Sequence, residues 1–292
     1  MKNILVTGAY GQLGNEVRIL SANYPDYNFM FTDVDSLDIT DKNELIDFVT
    51  GNDIRYIINC AAYTAVDKAE DDAELCEKIN ATAVKNLGIA AAEVGAGIIH
   101  VSTDYVFDGT SCRPYTEDMP TKPCSVYGKT KLKGEKNLLK ACPNAIIIRT
   151  AWLYSPFGNN FVKTMIKLGS ERESLNVIFD QVGTPTYALD LADAILKAMD
   201  QTIDTDHEKG GVYHFSNEGV CSWYDFTIKI HEIAGITTCK VNPIETKDYP
   251  TKAARPHYSV LNKSKIKQTF NITIPHWEAS LKDCIKELSE QE

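Results

Sequence analysis

Uniformly apolar segments alternate with amphipathic segments along the first half of the chain. Strands buried on both faces of a sheet carry no polar side, so the apolar segments predict strands. These cover residues 2–7, 28–33, 56–60, 97–101 and 145–149. The amphipathic segments between them predict helices at residues 12–21, 41–50, 72–94 and 125–140. Strands separated by helices are typical of an α/β fold with a doubly wound parallel sheet.

The alternation loosens after residue 150. Helices are predicted at residues 161–169, 189–199, 222–234 and 276–289, and short strands at 175–179 and 212–215. The polar run 200–211 is predicted to be a surface connection, and the stretch 243–256 is punctuated by prolines. We therefore expect two units, residues 1–150 and a smaller α/β lobe at residues 151–292 that mainly binds substrate. Whether part of residues 170–200 returns to the first unit is left open.

Three glycines stand where the first strand passes into the first helix, in the pattern Gly8-x-x-Gly11-x-x-Gly14. Gly8 allows the turn out of the strand, Gly11 lets a pyrophosphate approach the backbone, and Gly14 lets the helix lie close to the strand. The helix N-terminus then faces the phosphates. Glycines are also ordinary turn residues, but the flanking strand and helix favour a dinucleotide-binding Rossmann domain over residues 1–150.

A second group of residues predicts chemistry at the end of the fourth strand. Tyr127 and Lys131 are four residues apart and share one helix face, so the ammonium lies close enough to favour the phenolate and lower the pKa of Tyr127. Thr103 follows the strand and supplies a hydroxyl beside that phenol. A surface tyrosine and lysine on an amphipathic helix is the alternative. The glycine loop favours proton transfer instead.

Composition and charge narrow the class of protein. The 292 residues are 43% hydrophobic and 24% charged, and the eight cysteines form neither a C-x-x-C pair nor a zinc-like spacing. The net charge of −10 argues against a general nucleic-acid binder. No apolar run approaches the roughly 18 residues of a membrane span. We expect a cytoplasmic protein with reduced cysteines and no membrane contact. No residue spacing establishes a metal site, and magnesium at a dimer contact is left open.

Together these motifs resemble the extended short-chain dehydrogenase/reductase superfamily, and within it the dTDP-4-dehydrorhamnose reductase family. The resemblance extends from residue 1 to about Thr186 and reappears near Arg255. The segments that carry it are residues 8–14, 37–40, 59–70, 102–109, 127–135, 149–154, 158–161 and 254–256.

The resemblance implies an oxidoreductase that uses NADH or NADPH. Its substrate would be a nucleotide sugar, dTDP-4-dehydro-6-deoxy-L-mannose, whose C4 keto group is reduced to give dTDP-L-rhamnose. Tyr127 would deliver the proton while Thr103 donates a hydrogen bond, and Lys131 would hold the nicotinamide ribose. The acidic Asp33 after the second strand favours NADH. The protein would be a monomer or a homodimer.

Site residues are also carried over from the family's motifs. The implied cofactor contacts are Gly8, Tyr10, Gly11, Gln12, Leu13, Gly14, Asp33, Asp38, Ile39, Ala61, Ala62, Tyr63, Thr64, Tyr127 and Lys131. The implied substrate contacts are Thr103, Asp104, Trp152 and Arg255. For several of these a purely structural role stays open: a strand end for Asp33, a helix entry for Asp38, core packing for Trp152 and a salt bridge for Arg255.

Two other functions remain open at this point. A nucleotide-sugar epimerase or dehydratase would use the same Tyr127 and Lys131, although a dehydratase would also need a second acid beside Asp104, where this chain has Tyr105. A non-catalytic NADP-binding subunit, similar to the regulatory subunit of methionine adenosyltransferase, would keep the glycine loop without turnover.

Overall fold

The computed structural model describes residues 1–205 and 209–291. The strands, in chain order, are β1 (Lys2–Thr7), β2 (Tyr27–Thr32), β3 (Ile54–Asn59), β4 (Gly97–Thr103), β5 (Ile146–Thr150), β6 (Leu153–Tyr154), β7 (Ser174–Ile178), β8 (Val182–Gly183), β9 (Thr186–Tyr187), β10 (Gly211–His214), β11 (Cys221–Ser222) and β12 (Lys240–Ile244). The α-helices are α1 (Gln12–Ser21), α2 (Lys42–Gly51), α3 (Ala73–Glu77), α4 (Val84–Val94), α5 (Val126–Ala141), α6 (Phe161–Glu171), α7 (Ala188–Asp200), α8 (Trp223–Ile233), α9 (Ser264–Phe270) and α10 (Trp277–Gln291).

Six parallel strands of the described residues form the main sheet, in the order β2-β1-β3-β4-β5-β10. The chain moves outward from β1 to β2 and then crosses to β3 on the other side of β1. The strand order therefore reverses between β1 and β3. Ligands of open α/β sheets bind at the carboxyl ends of the strands beside such a reversal. The predicted doubly wound, Rossmann-like sheet is confirmed.

Helices cover both faces of this sheet, which explains its uniformly apolar strands. Ile4 and Val6 point into one core with α1, α7 and α9, while Leu5 between them points into the opposite core with α2, α4 and α5. Side chains of neighbouring strand residues alternate between faces, so a sheet covered twice needs apolar residues at every position. Each fully buried side chain of this size contributes about 1.5–3 kcal/mol.

A continuous helical segment leads from α3 to α4, in agreement with the helix predicted at residues 72–94. Its middle, Lys78–Ala83, is a π-helix, and Gly95 ends the segment with a left-handed backbone. The π-helical turn lies against α5, where a Cβ on Gly134 would come 2.1 Å from the Asn80 carbonyl oxygen. The two helices therefore touch backbone to backbone, which fixes the position of α5.

The smaller lobe is built from short sheets and three helices. Strand β7 pairs with β12 in parallel, β6 pairs with β9 in parallel, and β8 pairs with β11 in the antiparallel sense. Helices α6, α8 and α10 pack around one core that includes Phe226 and Trp277. Phe226 of this core lines the same cavity as Thr103 and Thr150, the last residues of β4 and β5.

The predicted elements lie within one or two residues of those observed, but the second half adds elements that the pattern missed. Strand β12 ends inside the proline-punctuated stretch, at Pro243 and Ile244, and α9 has only seven residues. Helix α7 packs on α1, and β10 pairs with β5, so both lie with the first half of the chain. Residues 206–208 of the predicted surface connection lie outside the described residues. No helix in the described ranges is both long and apolar enough to cross a membrane.

Candidate active site

The glycine loop between β1 and α1 has two positions that admit no side chain. Gly8 has a left-handed backbone with φ of +67°, and a Cβ there would lie 2.6 Å from the Ala61 amide nitrogen. A Cβ on Gly14 would lie 2.4 Å from the Gly8 carbonyl oxygen. A Cβ on Gly11 would meet its nearest protein atom only at 3.4 Å, and Gly11 lines a cavity of about 500 Å³. The space at Gly11 is therefore open to a ligand.

Helix α1 begins at this loop with its first turn facing the cavity. Gly11 precedes the helix, no side chain of the described residues caps it, and its first turn carries no acidic residue. Gln12 and Leu13 line the same cavity. The amides and the positive end of an uncapped helix bind anions. Residues 8–14 therefore fit the pyrophosphate of a dinucleotide.

The acidic residues after β2 occupy two different surroundings. The Asp33 carboxylate accepts a hydrogen bond from the Tyr10 amide at 3.0 Å, which holds Asp33 beside the glycine loop. Asp38 accepts the Thr40 amide at 2.8 Å in the turn before α2, and hydrogen bonds from Thr40 lower the pKa of Asp38. Ile39 is buried in the core. Of these, Asp33 is the acid that the structure brings to the loop.

The segment after β3 forms a second wall of the cavity. Ala62 and Thr64 line it. The Tyr63 hydroxyl instead donates to the Asp72 carboxylate at 3.1 Å, which turns this side chain toward the start of α3. Ala61 lies against Gly8, as described above. The predicted cofactor segment is thus next to the glycine loop, with alternate residues facing the cavity.

Thr103 and Tyr127 meet at the carboxyl end of β4. Thr103 is the last residue of β4, and its hydroxyl hydrogen-bonds Tyr127, which lowers the pKa of that phenol. Burial has a larger effect and raises the pKa of Tyr127, with the charge of Asp104 adding to it. The sequence predicted a lowered pKa through Lys131, and the structure gives the opposite direction. A protonated phenol at this place is a proton donor.

Lys131 is buried one helical turn from Tyr127. Its Nζ donates to the Val101 carbonyl oxygen at 2.7 Å and lies 3.4 Å from Nε2 of His100. Burial lowers the pKa of Lys131 to about 8, and the charge of Glu135 acts in the opposite direction. The lysine therefore changes charge near neutral pH, where a group that exchanges protons is most effective.

Glu135 lies on the same face of α5 as Tyr127 and Lys131, and its carboxylate links α5 to the main sheet. Its carboxylate accepts two hydrogen bonds from the Arg149 guanidinium, at 2.9 and 2.7 Å, and one from the Ser102 hydroxyl at 2.6 Å. Arg149 is on β5, and Ser102 is on β4. Paired hydrogen bonds between arginine and carboxylate fix orientation as well as distance. The network therefore sets the position of Tyr127 and Lys131 relative to Thr103.

Asp104 is buried in the cavity wall next to Thr103. Its Oδ1 accepts the Thr103 hydroxyl at 2.9 Å, and its Oδ2 has no hydrogen-bond partner among the described residues. Burial raises the pKa of Asp104 to about 6, although the hydroxyls of Thr103 and Ser259 lower it. A buried oxygen without a partner fits a site where a ligand hydroxyl supplies the missing hydrogen bond.

Three aromatic rings separate this cavity from a second one of about 840 Å³. Trp152 stacks on Trp223 with ring centroids 3.5 Å apart, and Phe161 contacts Trp223 at 4.5 Å. Phe161 and Trp223 line both cavities, and Trp152 lines the smaller one. The backbone of Trp152 has φ of +49°, which is unusual for a bulky residue and typical of functional sites.

Arg255 lies at the larger cavity and forms an ion pair. Its guanidinium donates to both carboxylate oxygens of Asp67, at 3.0 and 2.6 Å, which lowers the pKa of Asp67. A second ion pair, between Lys252 and Asp71, joins the same two segments. The salt bridge that the sequence left open is present, and it links the loop after β3 to the segment after β12.

Redox and metal chemistry would depend on the cysteines and on clusters of metal-ligating side chains. All eight cysteines lie in the described ranges and are free thiols. Cys60 lines the smaller cavity, and burial raises its pKa to about 12, so it stays protonated. Within residues 1–205 and 209–291, no group of three or more His, Cys, Asp or Glu residues is arranged to hold a metal ion.

Sequence reasoning missed several residues of the site. Glu135 could have been found, because residues 127, 131 and 135 recur on one helix face. Arg149, His100, Asp67 and Trp223 carry no local signal, because their partners come from distant segments. Among the predicted residues, the structure brings the glycine loop, Thr103, Tyr127 and Lys131 to one cavity.

Comparison with known proteins gives consistent matches. The family model described as "RmlD substrate binding domain" matches residues 1–290. The dTDP-4-dehydrorhamnose reductase of Aggregatibacter actinomycetemcomitans is 41% identical over 288 residues, covering 97% of this chain and 98% of that protein.

Two solved structures are similar over nearly the whole chain. The crystal structure of a dTDP-4-dehydrorhamnose reductase from Clostridium acetobutylicum has a TM-score of 0.93 and 45% identity, covering 98% of this chain and 99% of that one. The enzyme of the same name from Bacillus anthracis, in complex with NADP, has a TM-score of 0.92 and 38% identity, covering 98% and 100%.

Proposed function

This chain belongs to the dTDP-4-dehydrorhamnose reductase family, and from that premise we propose how its residues carry out the reaction. The protein is an NAD(P)H-dependent oxidoreductase that reduces the C4 keto group of dTDP-4-dehydro-6-deoxy-L-mannose to dTDP-L-rhamnose, the last step of dTDP-rhamnose biosynthesis. The observation that carries the assignment of roles is the meeting of Thr103, Tyr127 and Lys131 in one cavity with the glycine loop.

The cofactor would lie along the glycine loop and the loops after β3 and β4. The uncapped start of α1 would bind its pyrophosphate, and Lys131 would hold its nicotinamide ribose. When bound, the reduced nicotinamide supplies the hydride for the keto carbon. Asp33, held by the Tyr10 amide, would accept a ribose hydroxyl, and its charge disfavours a 2′-phosphate, so we propose a preference for NADH.

Tyr127 would donate the proton to the substrate oxygen. Negative charge grows on that oxygen as the keto group is reduced, and a protonated phenol beside it neutralises the charge. Burial keeps Tyr127 protonated, as this role needs. Thr103 donates its one hydroxyl hydrogen to Oδ1 of Asp104 in the absence of substrate and would turn it toward the same substrate oxygen when substrate binds. A donor held at this place contributes most in a site closed to water.

The sugar and the nucleotide would occupy the two neighbouring cavities. Asp104 and Trp152 would face the sugar in the smaller cavity, the carboxyl through its unpartnered Oδ2 and the indole through its apolar face. The larger cavity would take the nucleotide, and Arg255 would pair with a phosphate there. The ring pair of Trp152 and Trp223 lies where the two cavities meet.

The Tyr127→Phe variant tests this assignment. We expect kcat to fall by at least 100-fold, because general acid catalysis contributes about 10²–10⁴ in rate, while the Kd for the reduced cofactor stays within about threefold. Tyr213→Phe is the control, because Tyr213 lies on β10, outside the cavity, and its hydroxyl donates to the Lys209 carbonyl oxygen. If Tyr127→Phe keeps substantial turnover, Tyr127 is not the proton donor.

We also propose that the protein works in the cytoplasm as a monomer or a homodimer. Free thiols and a reduced nicotinamide cofactor suit a reducing compartment. Cell fractionation tests the compartment, and light scattering of the purified protein tests the assembly. A membrane-bound or periplasmic protein, or a larger oligomer, would contradict the proposal.

A further inference from the structure

A chain of buried polar groups lies behind Lys131, on the side away from the cavity. The Thr7 hydroxyl donates to Oδ1 of Asn59 at 2.7 Å, and Nδ2 of Asn59 lies 2.8 Å from Nδ1 of His100. Nε2 of His100 is 3.4 Å from Nζ of Lys131. All four residues are at most 1% exposed. The polar groups of these side chains therefore hydrogen-bond one another and not water. The hydrogen-bond partner of each group then determines which atom carries the hydrogen.

The partners fix the tautomer of His100. The Ala61 amide donates to Oδ1 of Asn59 at 3.0 Å, and an amide N–H cannot face the NH₂ group, so the oxygen of Asn59 is identified. Nδ2 of Asn59 consequently donates to Nδ1 of His100. A neutral imidazole that accepts at Nδ1 carries its hydrogen on Nε2. Burial, followed by the charge of Lys131, lowers the pKa of His100 well below its usual value, so the ring is neutral.

The Nε2–H group of His100 therefore points at Lys131. An ammonium has three hydrogens and no lone pair, so Nε2–H opposes it, whereas a neutral amine accepts Nε2–H through its lone pair. The Val101 carbonyl oxygen, 2.7 Å from Nζ, takes one lysine hydrogen in either state. His100 thus distinguishes the two protonation states of Lys131 and favours the amine.

We propose that His100 is a positioning residue whose Nε2–H group stabilises the deprotonated form of Lys131 and so sets how readily this lysine returns a proton to Tyr127 after each reduction. The proposal rests on the proposed function. Tyr127 gives its proton to the substrate oxygen and becomes a phenolate. The Lys131 ammonium then gives one proton toward that phenolate, which leaves a phenol and an amine. The amine accepts the Nε2–H hydrogen bond of His100 until it takes a proton from water.

Other groups around Lys131 act on the same equilibrium. Glu135 on α5 and Cys76 on α3 raise the pKa of Lys131, and burial lowers it to about 8. The charge of Glu135 is paired with Arg149 on β5. His100 on β4 is the neutral group whose hydrogen-bond direction separates amine from ammonium. Its removal should therefore move the Lys131 pKa upward, toward the value of an ordinary lysine.

Two substitutions of His100 separate the hydrogen bond from simple packing. His100→Asn keeps an acceptor near the position of Nδ1 but has no atom at Nε2. His100→Gln places an amide nitrogen near the position of Nε2, where it donates to Lys131. We expect His100→Asn to raise the Lys131 pKa by about one unit, to lower kcat about tenfold and to leave KM for the cofactor unchanged. We expect His100→Gln to restore the wild-type pKa to within about 0.3 unit and kcat to within about twofold.

Two measurements determine the Lys131 pKa and the His100 tautomer without turnover. The ¹³C shift of the Lys131 Cε, in lysine-labelled protein titrated without substrate, gives the pKa directly. The ¹⁵N shifts of labelled histidines give the tautomer of His100, expected as Nε2–H. His214 is an internal reference for the other tautomer, Nδ1–H. Its Nδ1 lies 3.1 Å from the Tyr115 carbonyl oxygen, which can only accept, so Nδ1 carries the hydrogen.

The proposal is overturned if His100 carries its hydrogen on Nδ1. It is also overturned if the Lys131 pKa is the same in His100→Asn as in wild type, or if both variants shift it equally. If His100→Asn fails to fold, the proposal is still tested by the tautomer of His100 in the wild-type protein and by the pKa of Lys131 in His100→Gln. Failure of the proposed function would show separately, as wild-type protein that does not oxidise NADH or NADPH with the keto sugar.

Discussion

Removing the charge of Glu135 should destabilise the whole protein, because the pair with Arg149 is almost inaccessible to water. The two side chains are 3% and 5% exposed, and two hydrogen bonds of 2.7 and 2.9 Å join them. Glu135→Gln keeps the shape and leaves the arginine charge buried without a counter-charge. Breaking such a pair costs about 3–5 kcal/mol, and we expect about 3 kcal/mol because one carbonyl oxygen still accepts. With an unfolding entropy of about 2 cal/mol/K per residue, Tm should fall by about 5 °C.

Urea unfolding followed by circular dichroism, together with calorimetry, measures this loss. Glu77→Gln is the matched control, since it breaks the exposed pair with Lys133 and should cost less than about 1 kcal/mol. Replacing both Glu135 and Arg149 by leucine and methionine should recover part of the loss, because no charge then stays buried. The reasoning is refuted if Glu135→Gln costs no more than Glu77→Gln.

Three further predictions concern acidity, cofactor choice and substrate binding. Burial raises the pKa of Glu16 from 4.5 to about 7 despite the hydrogen bond from Ser155, so the folded protein holds a proton that the unfolded chain releases. Stability should therefore fall between about pH 4.5 and 7, and Glu16→Gln should abolish up to about 3 kcal/mol of that fall, measured by urea unfolding at pH 5 and pH 8. Asp33→Ala should raise the NADPH to NADH ratio of kcat/KM about fivefold, since a repulsion of roughly 1 kcal/mol is lost; an unchanged ratio in the absorbance assay would contradict it. Arg255→Met should raise KM for the nucleotide sugar about tenfold and leave KM for the cofactor unchanged, whereas Asp67→Asn should have a smaller effect.

The first half of the fold could be predicted because its signals are local. A strand buried on both faces is apolar throughout, and Asp41 caps α2 by accepting the Asn43 and Glu44 amides. The second half could not be predicted as completely. Its two-residue strands, such as β6, are too short to show a period, and β12 includes Pro243, which favours a loop in sequence alone.

The candidate site also has a part that local sequence signals predict and a part that depends on distant segments. The glycine loop and the pair of Tyr127 and Lys131 are spaced within one element, so their spacing is visible in the sequence. The direction of the Tyr127 pKa could not be predicted, because burial depends on segments that only the fold brings together. The tautomer of His100 depends in the same way on Asn59, which is far away in the chain.

Strand β10 completes the main sheet with residues that are synthesised long after β5. We propose that the unit formed by residues 1–150 also includes α7, β10 and α9, because these elements pack into its core or extend its sheet. Until Gly211–His214 leave the ribosome, the edge of β5 is exposed and free to pair with other chains. Pairings between such distant segments also form slowly. We therefore expect a nascent chain interrupted near residue 150 to be a substrate for chaperones and proteases, and not a finished cofactor-binding module.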